Sequence, residues 1–179
     1  MLCGSPFLVS YPHRGGDRPR RERIGVYRTL IGKLRWRLRS ARLVRRVASG
    51  EIEPGAAAEQ LAALHLERLG YRIVARNFQS RGSEIDLIAV AGDELVFVEV
   101  KSRRQPAKER PERNVSRRKQ AKLRAAARAY VAQHALCDPR IQIRFDVIAI
   151  LWPQNGGDFE LRHIRSAFEV SPRNTEPAL

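Results

Sequence analysis

The clearest pattern along the chain is the alternation of apolar and polar positions in SEIDLIAVAGDELVFVEVKS, residues 83–102. Two runs of period 2 flank Gly92-Asp93, which reads as a β-hairpin with a Gly-first, type II′ turn. YRIVARNF at 71–78 alternates as a strand before the hairpin. IQIRFDVIAIL at 141–151 is an apolar strand after it, and FELRHI at 159–164 reads as a short last one. Elsewhere the period is helical. Glu53-Pro54-Gly55 marks a boundary, followed by AAAEQLAALHLERLGY with Ala57, Leu61 and Leu64 on one face and Gly70 as a stop. SRRKQAKLRAAARAYVAQHA, residues 116–135, turns Leu123, Ala126, Ala127, Tyr130 and Val131 toward a core. The order is one helix, three strands, a second helix and two strands. It predicts an α/β fold, a mixed sheet with helices packed on it.

Residues 24–48, IGVYRTLIGKLRWRLRSARLVRRVA, fit a basic helix with Tyr27, Leu30, Ile31, Leu34 and Leu38 on one stripe and Trp36 off it. Such a helix docks on the domain, touches nucleic acid or lies on a membrane surface. A weakly ordered extension is the reading preferred here. Residues 1–22, with Pro6, Pro12, Pro19 and Gly15-Gly16, read as disordered, and the polar, Pro-containing stretch 102–115 as a mobile loop. The expected division is a basic N-terminal extension at 1–50, a folded domain at 51–170 and a disordered tail at 171–179.

Charge sharpens this division. The 179 residues carry a net charge of +15, with a pI near 11.2. Residues 1–53 hold 13 Lys/Arg against 4 Asp/Glu, and residues 101–128 hold 12 against 2. The remainder is mildly acidic. Two basic segments flanking an acidic body point to a polyanionic partner, nucleic acid first and an anionic membrane surface second. Cys3 and Cys137 make no disulfide framework, and the four histidines show no paired-ligand spacing. No transmembrane-length apolar run occurs, and the first residues make a poor signal peptide, so a cytoplasmic location is expected.

The hairpin then raises a chemical question. A turn centred on Gly92-Asp93 pairs residues whose numbers sum to 185. This sets Asp86 across from Glu99 and Glu84 across from Lys101. Glu84, Asp86, Ile88 and Val90 share one face with Leu95, Phe97, Glu99 and Lys101. Ile85, Leu87 and Ala89 share the other with Val96, Val98 and Val100. Asp86 and Glu99 would form a non-hydrogen-bonded pair with Cβ atoms about 4.5–5.5 Å apart. Opposed carboxylates destabilise a sheet, and a divalent cation reverses the sign. Lys101 points to the same side, and the Val100 carbonyl lies between them as a further ligand. This constellation suits metal-assisted phosphodiester hydrolysis. A plain Glu84–Lys101 ion pair, with Asp86 and Glu99 at a wet sheet end, is the alternative. Asp146 in RFDVI reads as structural, at a sheet edge or bonded to a helix terminus.

RNFQSRGSEIDLIAVAGDELVFVEVKSR, RKQAKL and RFDVIAI together resemble the YraN family of small bacterial proteins. That family is similar to archaeal Holliday-junction resolvases and to the PD-(D/E)XK nucleases. The resemblance runs from about Gly55 to Phe168. It implies a restriction-endonuclease-like core, making 51–170 a nuclease-like domain. It matches Asp86 and Glu99 to metal-binding acids, Lys101 to the catalytic lysine and Glu59 to an acid completing the metal site. Gln120 matches a polar position near that site. Glu59 and Gln120 also read as plain helix-surface residues. Ser83 and Ala58 stand where the family usually has glycine. The resulting expectation is an endonuclease using Mg²⁺ or Mn²⁺ on branched or structured DNA, with a homodimer as the expected assembly. Arg103, Arg104, Arg117, Arg118, Lys119 and Lys122 would contact phosphates. The alternative is a non-catalytic nucleic-acid-binding protein that keeps the fold.

Overall fold

The structure, a computed structural model, describes residues 22–80, 82–104, 115–136, 141–153 and 158–169, with side chains of the first helix from Leu34 onward. The proline-rich start, most of the 102–115 loop and the 171–179 tail lie outside the described residues, as do the side chains of Tyr27, Leu30 and Ile31. Among the described residues there are three helices and five strands. They are α1 (Glu22–Ala48), α2 (Pro54–Arg68), β1 (Arg72–Ser80), β2 (Ser83–Ala91), β3 (Glu94–Arg104), α3 (Arg117–Gln133), β4 (Gln142–Trp152) and β5 (Glu160–Phe168). The strands form one sheet in the order β1-β2-β3-β4-β5. Neighbours are antiparallel except β3 and β4, which run parallel and are connected through α3. The α/β fold is as expected, a mixed sheet with helices packed on it and consistent with a nuclease-like core. The last strand is longer than FELRHI alone predicts. No helix of the described residues is long and apolar enough to cross a membrane.

Side-chain alternation gives the sheet two apolar faces. On one, Leu61 and Leu66 of α2 pack on Leu87, Val96, Val98, Ile148 and Ile150. On the other, Leu123, Ala126, Ala127 and Tyr130 of α3 pack on Ile88, Phe97, Phe145 and Val147. Both faces of the interior strands are covered, so β4 is buried from Arg144 to Trp152. The hairpin turn forms at Gly92-Asp93. Gly92 takes φ 63° while Asp93 stays out of the left-handed region, as a type II′ turn requires.

The helix at 24–48 forms, but it packs by a different face from the expected stripe. Leu34 and Leu38 are 59% and 63% exposed. Trp36, Leu43, Val44 and Val47 face the domain instead, on the α2 side of the sheet. The Trp36 ring stands edge-on to His65 and to Phe159, with centroids 6.1 and 6.3 Å away. The half-buried Trp36 indole, with buried Leu43 and the valines, gives this face a broad apolar contact with the domain.

Asp146 is neither at a sheet edge nor at a helix terminus. It lies in β4, opposite Val98 of β3, at a shift in the β4–β5 register. There its Oδ1 accepts the Ser166 N–H at 3.0 Å, a donor the interrupted ladder leaves over. Arg144 donates from Nε to Oδ1 at 2.9 Å and from Nη2 to Oδ2 at 3.1 Å, and His163 Nε2 reaches Oδ2 at 2.9 Å. Arg144 also binds Glu94 and the Tyr71 hydroxyl. Burial opposes the Asp146 charge, but the hydrogen bonds from His163, Arg144 and Ser166 outweigh it and hold the pKa below the ordinary value. The structural reading of Asp146 thus gains a different set of partners. Asp146→Ala takes from the buried Arg144 guanidinium its two-point partner and leaves the Ser166 N–H without an acceptor, and we expect it to lower stability in urea by about 3–5 kcal/mol. A loss within about 0.5 kcal/mol would show the network to be incidental.

Candidate functional site

The site begins where β2 and β3 part. Their ladder runs from Ala91/Glu94 to Leu87/Val98 in the expected register. It ends there, one pair short of Asp86/Glu99. The expected cross-strand pairing of these two acids therefore does not form. In a continued antiparallel ladder the Val100 N–H would meet the Ile85 carbonyl. It donates instead to Asp86 Oδ2 at 2.6 Å. The side chain takes over a backbone acceptor's place, and β3 goes on alone with β4 as far as Arg104/Trp152.

Two local features accompany this fork. On β1, Asn77 takes φ 49° between the pairs Arg76/Leu87 and Phe78/Ile85. Ile85 then packs on the α3 side with Ile88, not on the α2 side with Leu87 as strict alternation predicts. Ser83 is accommodated where glycine is usual because the neighbouring Gly82 carries the positive φ, 72°. Ala58 is fully buried in α2.

Glu99 follows Val98 on the opposite face and is 4% exposed. Lys101 Nζ donates to its Oε1 at 2.6 Å. Lys119, from the first turn of α3, brings Nζ within 3.1 Å of Oε2 but off hydrogen-bond geometry. The alternative Glu84–Lys101 ion pair is thus not the one formed, since the ammonium turns to Glu99, and Glu84 lies opposite Gln79 of β1. Asp86 is pushed up to a pKa of about 7. Burial is the largest cause, and the negative charges of Glu99 and Glu59 add to it, while the Val100 N–H and Lys119 pull the other way.

Glu59, half-buried on α2, therefore acts on Asp86 through its field. Among the described residues no three acidic, histidine or cysteine side chains converge into a ready-made metal cluster. What the fork offers is two carboxylates, half-buried Asp86 and buried Glu99, with Glu59 nearby. Mg²⁺ commonly binds through one or two protein carboxylates, completing its shell with water and phosphate oxygens. A half-buried carboxylate with a raised pKa beside a buried one with an oxygen free of hydrogen bonds fits such an ion.

The remaining candidates divide by position. Gln120 donates from Nε2 to the Val115 carbonyl at 2.9 Å, fixing the entry to α3. Arg103 and Arg104 are exposed on β3 beyond the fork and Arg117, Arg118 and Lys122 are exposed on α3, whereas Lys119 turns inward to Glu99. Ser116 caps α3, accepting from Lys119 N at 3.3 Å, and so helps to set that lysine. Ser102 went unnoticed in the sequence. Its Oγ accepts from Trp152 Nε1 at 2.9 Å and donates to the Pro54 carbonyl at 3.2 Å, tying β3 to β4 and to the start of α2. A lone serine after Lys101 gives no signal of this.

Comparison with known proteins adds family context. The model described as "Uncharacterised protein family UPF0102" matches residues 58–150. A UPF0102 protein of Chlorobaculum tepidum is 44% identical over 123 residues, covering 66% of this chain and 94% of the relative. One from Geobacter sulfurreducens is 43% identical over 117 residues, covering 65% of this chain and 89% of the relative. A third, from Alkaliphilus oremlandii, is 36% identical over 114 residues, covering 64% and 96%.

Proposed function

This chain belongs to the UPF0102 family, the YraN family of its sequence resemblance, and we propose that it is a metal-dependent endonuclease cleaving phosphodiester bonds in branched or structured DNA. The observation that carries the reading is the pair of half-buried Asp86 and buried Glu99, set at the β2–β3 fork beside Lys101 and Lys119. Asp86 and Glu99 would hold Mg²⁺ or Mn²⁺, with the Val100 carbonyl and Glu59 as supporting oxygens. When bound, such a cation polarises the phosphate and eases loss of a proton from water.

The chain's own groups supply the rest. The Val100 N–H keeps the Asp86 carboxylate oriented. Lys101, now held by Glu99, is placed to meet the charge on a phosphate once that acid has another partner. The exposed Arg103, Arg104, Arg117, Arg118 and Lys122 position a duplex by its backbone without reading its sequence. Two cuts across a junction require two sites, so the active form under this reading is a homodimer, working in the cytoplasm.

A second reading has its own observation. Glu99 already has two lysine partners, an ion-pair cluster that needs no cation for its charge balance. On that reading the protein binds nucleic acid without cleaving it. A panel of duplex, single-stranded, flap and four-way-junction DNA with Mg²⁺ or Mn²⁺ separates the two. Cleavage by the wild type that EDTA abolishes is the expected result. Binding with no cleavage of any substrate would leave the second reading standing.

A further inference from the structure

The segment matched by the family model begins at Ala58, so α1 is an addition to it. That addition builds a cleft. Arg39, Arg42 and Arg46 stand at i, i+3 and i+7 on α1 and share one side of the helix. With Gln60 and Glu67 of α2 and Arg76 of β1 they line an open recess of about 550 Å³. Arg46 is held by Glu51 at 2.7 Å, and Arg76 comes no nearer than 3.8 Å to Glu67. Arg39 and Arg42 make no ion pair with any described residue. Four guanidinium groups thus converge on a recess whose own acid, Glu67, answers only one of them.

We propose that this cleft binds the phosphodiester backbone of a nucleic acid, separately from the carboxylate site. The proposal rests on the reading that nucleic acid is the ligand, but not on cleavage. Guanidinium groups present paired N–H donors that match phosphate oxygens. From Arg39 to Arg46 the helix rises about 10 Å, close to three backbone steps of ~3.4 Å along a strand. The arginines line an open recess between α1, α2 and β1, where their guanidinium groups can follow a phosphate backbone. Gln60 borders the cleft and the next residue back, Glu59, acts on Asp86, so α2 links the two sites.

Fluorescence anisotropy with a labelled 30-base-pair duplex tests this on the full chain. EDTA is present throughout, so the outcome does not depend on catalysis. For Arg39→Gln/Arg42→Gln the expected result is a Kd raised about 10-fold or more at ~0.1 M salt. The slope of log K against log salt should fall by about 2, near 0.9 per lost phosphate contact. The thermal midpoint should stay unchanged, because both side chains are exposed. Unchanged affinity and slope would overturn the proposal, as would a wild type that binds no nucleic acid. So would loss of binding to anionic phosphatidylglycerol vesicles or poly-glutamate with duplex binding intact. A wild type that never cleaves DNA but loses binding through these substitutions leaves the cleft standing while the catalytic reading fails. One that cleaves, with binding indifferent to them, does the reverse.

Discussion

Glu99→Gln is expected to lower Mg²⁺-dependent cleavage by about 10³-fold or more, the scale on which single electrostatic groups at a reacting centre act. The reason lies in what the glutamine keeps and loses. It retains the shape of a side chain that is 4% exposed, so the packing between Lys101 and Lys119 survives. It removes the anionic oxygens that would take a divalent ion. Asp86→Asn should produce a loss of the same order, since its amide oxygen can still accept the Val100 N–H but carries no charge. Lys119→Gln is expected to cost much less, about 10-fold, because that lysine balances Glu99 only when no cation does. Binding of the same junction DNA in EDTA should be retained by the Glu99 and Asp86 variants. Wild-type cleavage rates in either of them would end the nuclease reading. Equal loss from Lys119→Gln would instead give that lysine a role at the phosphate.

Across pH 4–7 in EDTA, half-buried Asp86 and buried His65 should tilt stability in opposite directions, and each is expected to become visible when the other is removed. Burial lifts Asp86 from 3.8 to about 7, so its contribution is complete below pH 3.8 and is lost as pH rises through 7. His65 is lowered from 6.5 to about 4, by burial first and then by the charges of His163 and Arg68. Its contribution is complete above pH 6.5 and is lost as pH falls toward 4. The thermal midpoint of Asp86→Asn should therefore climb from pH 4 to 6.5. At pH 7 this variant should be roughly 2–4 kcal/mol more stable than wild type, the work of keeping a charged carboxylate buried. His65→Gln should fall in stability over the same range. It also loses contacts to Trp36 and His163, so the slope and not the height of its curve is the readout. Parallel wild-type and Asp86→Asn curves would contradict the raised pKa.

The parts of the fold that local pattern controls were legible. Period 2 and the Gly92-Asp93 turn fixed the hairpin register through Leu87/Val98, because turn and alternation act on neighbouring residues. The end of that ladder was not legible. It depends on β3 leaving β2 for β4, a partner more than forty residues further along the chain. Alternation did set Lys101 on the Glu99 face, and its ammonium goes to that acid two residues away, not to Glu84 across the hairpin. On α1, Trp36, Ser40, Leu43, Val44 and Val47 follow helical spacing as faithfully as the leucine stripe does. Periodicity shows that a face exists without saying which of two faces meets the domain. Asp146 was recognised as structural, but its partners Arg144, His163 and Ser166 converge only when β5 is in place.

The parallel pairing of β3 with β4 has a consequence for how the fork is assembled. Antiparallel neighbours close through short turns, so β1, β2 and β3 can come together locally and bring Asp86, Glu99 and Lys101 with them. Parallel neighbours need a long connection, and the chain must travel from Arg104 through α3 to Gln142 before β4 can be added. The entropy of closing that connection is spent before its contacts form, which makes this the slow pairing of the sheet. Until then β3 is an open edge of apolar residues, the kind that recruits strands from other chains. At that edge the Glu99–Lys101 pair stands as a charge among valines, and charge on an exposed edge works against such recruitment.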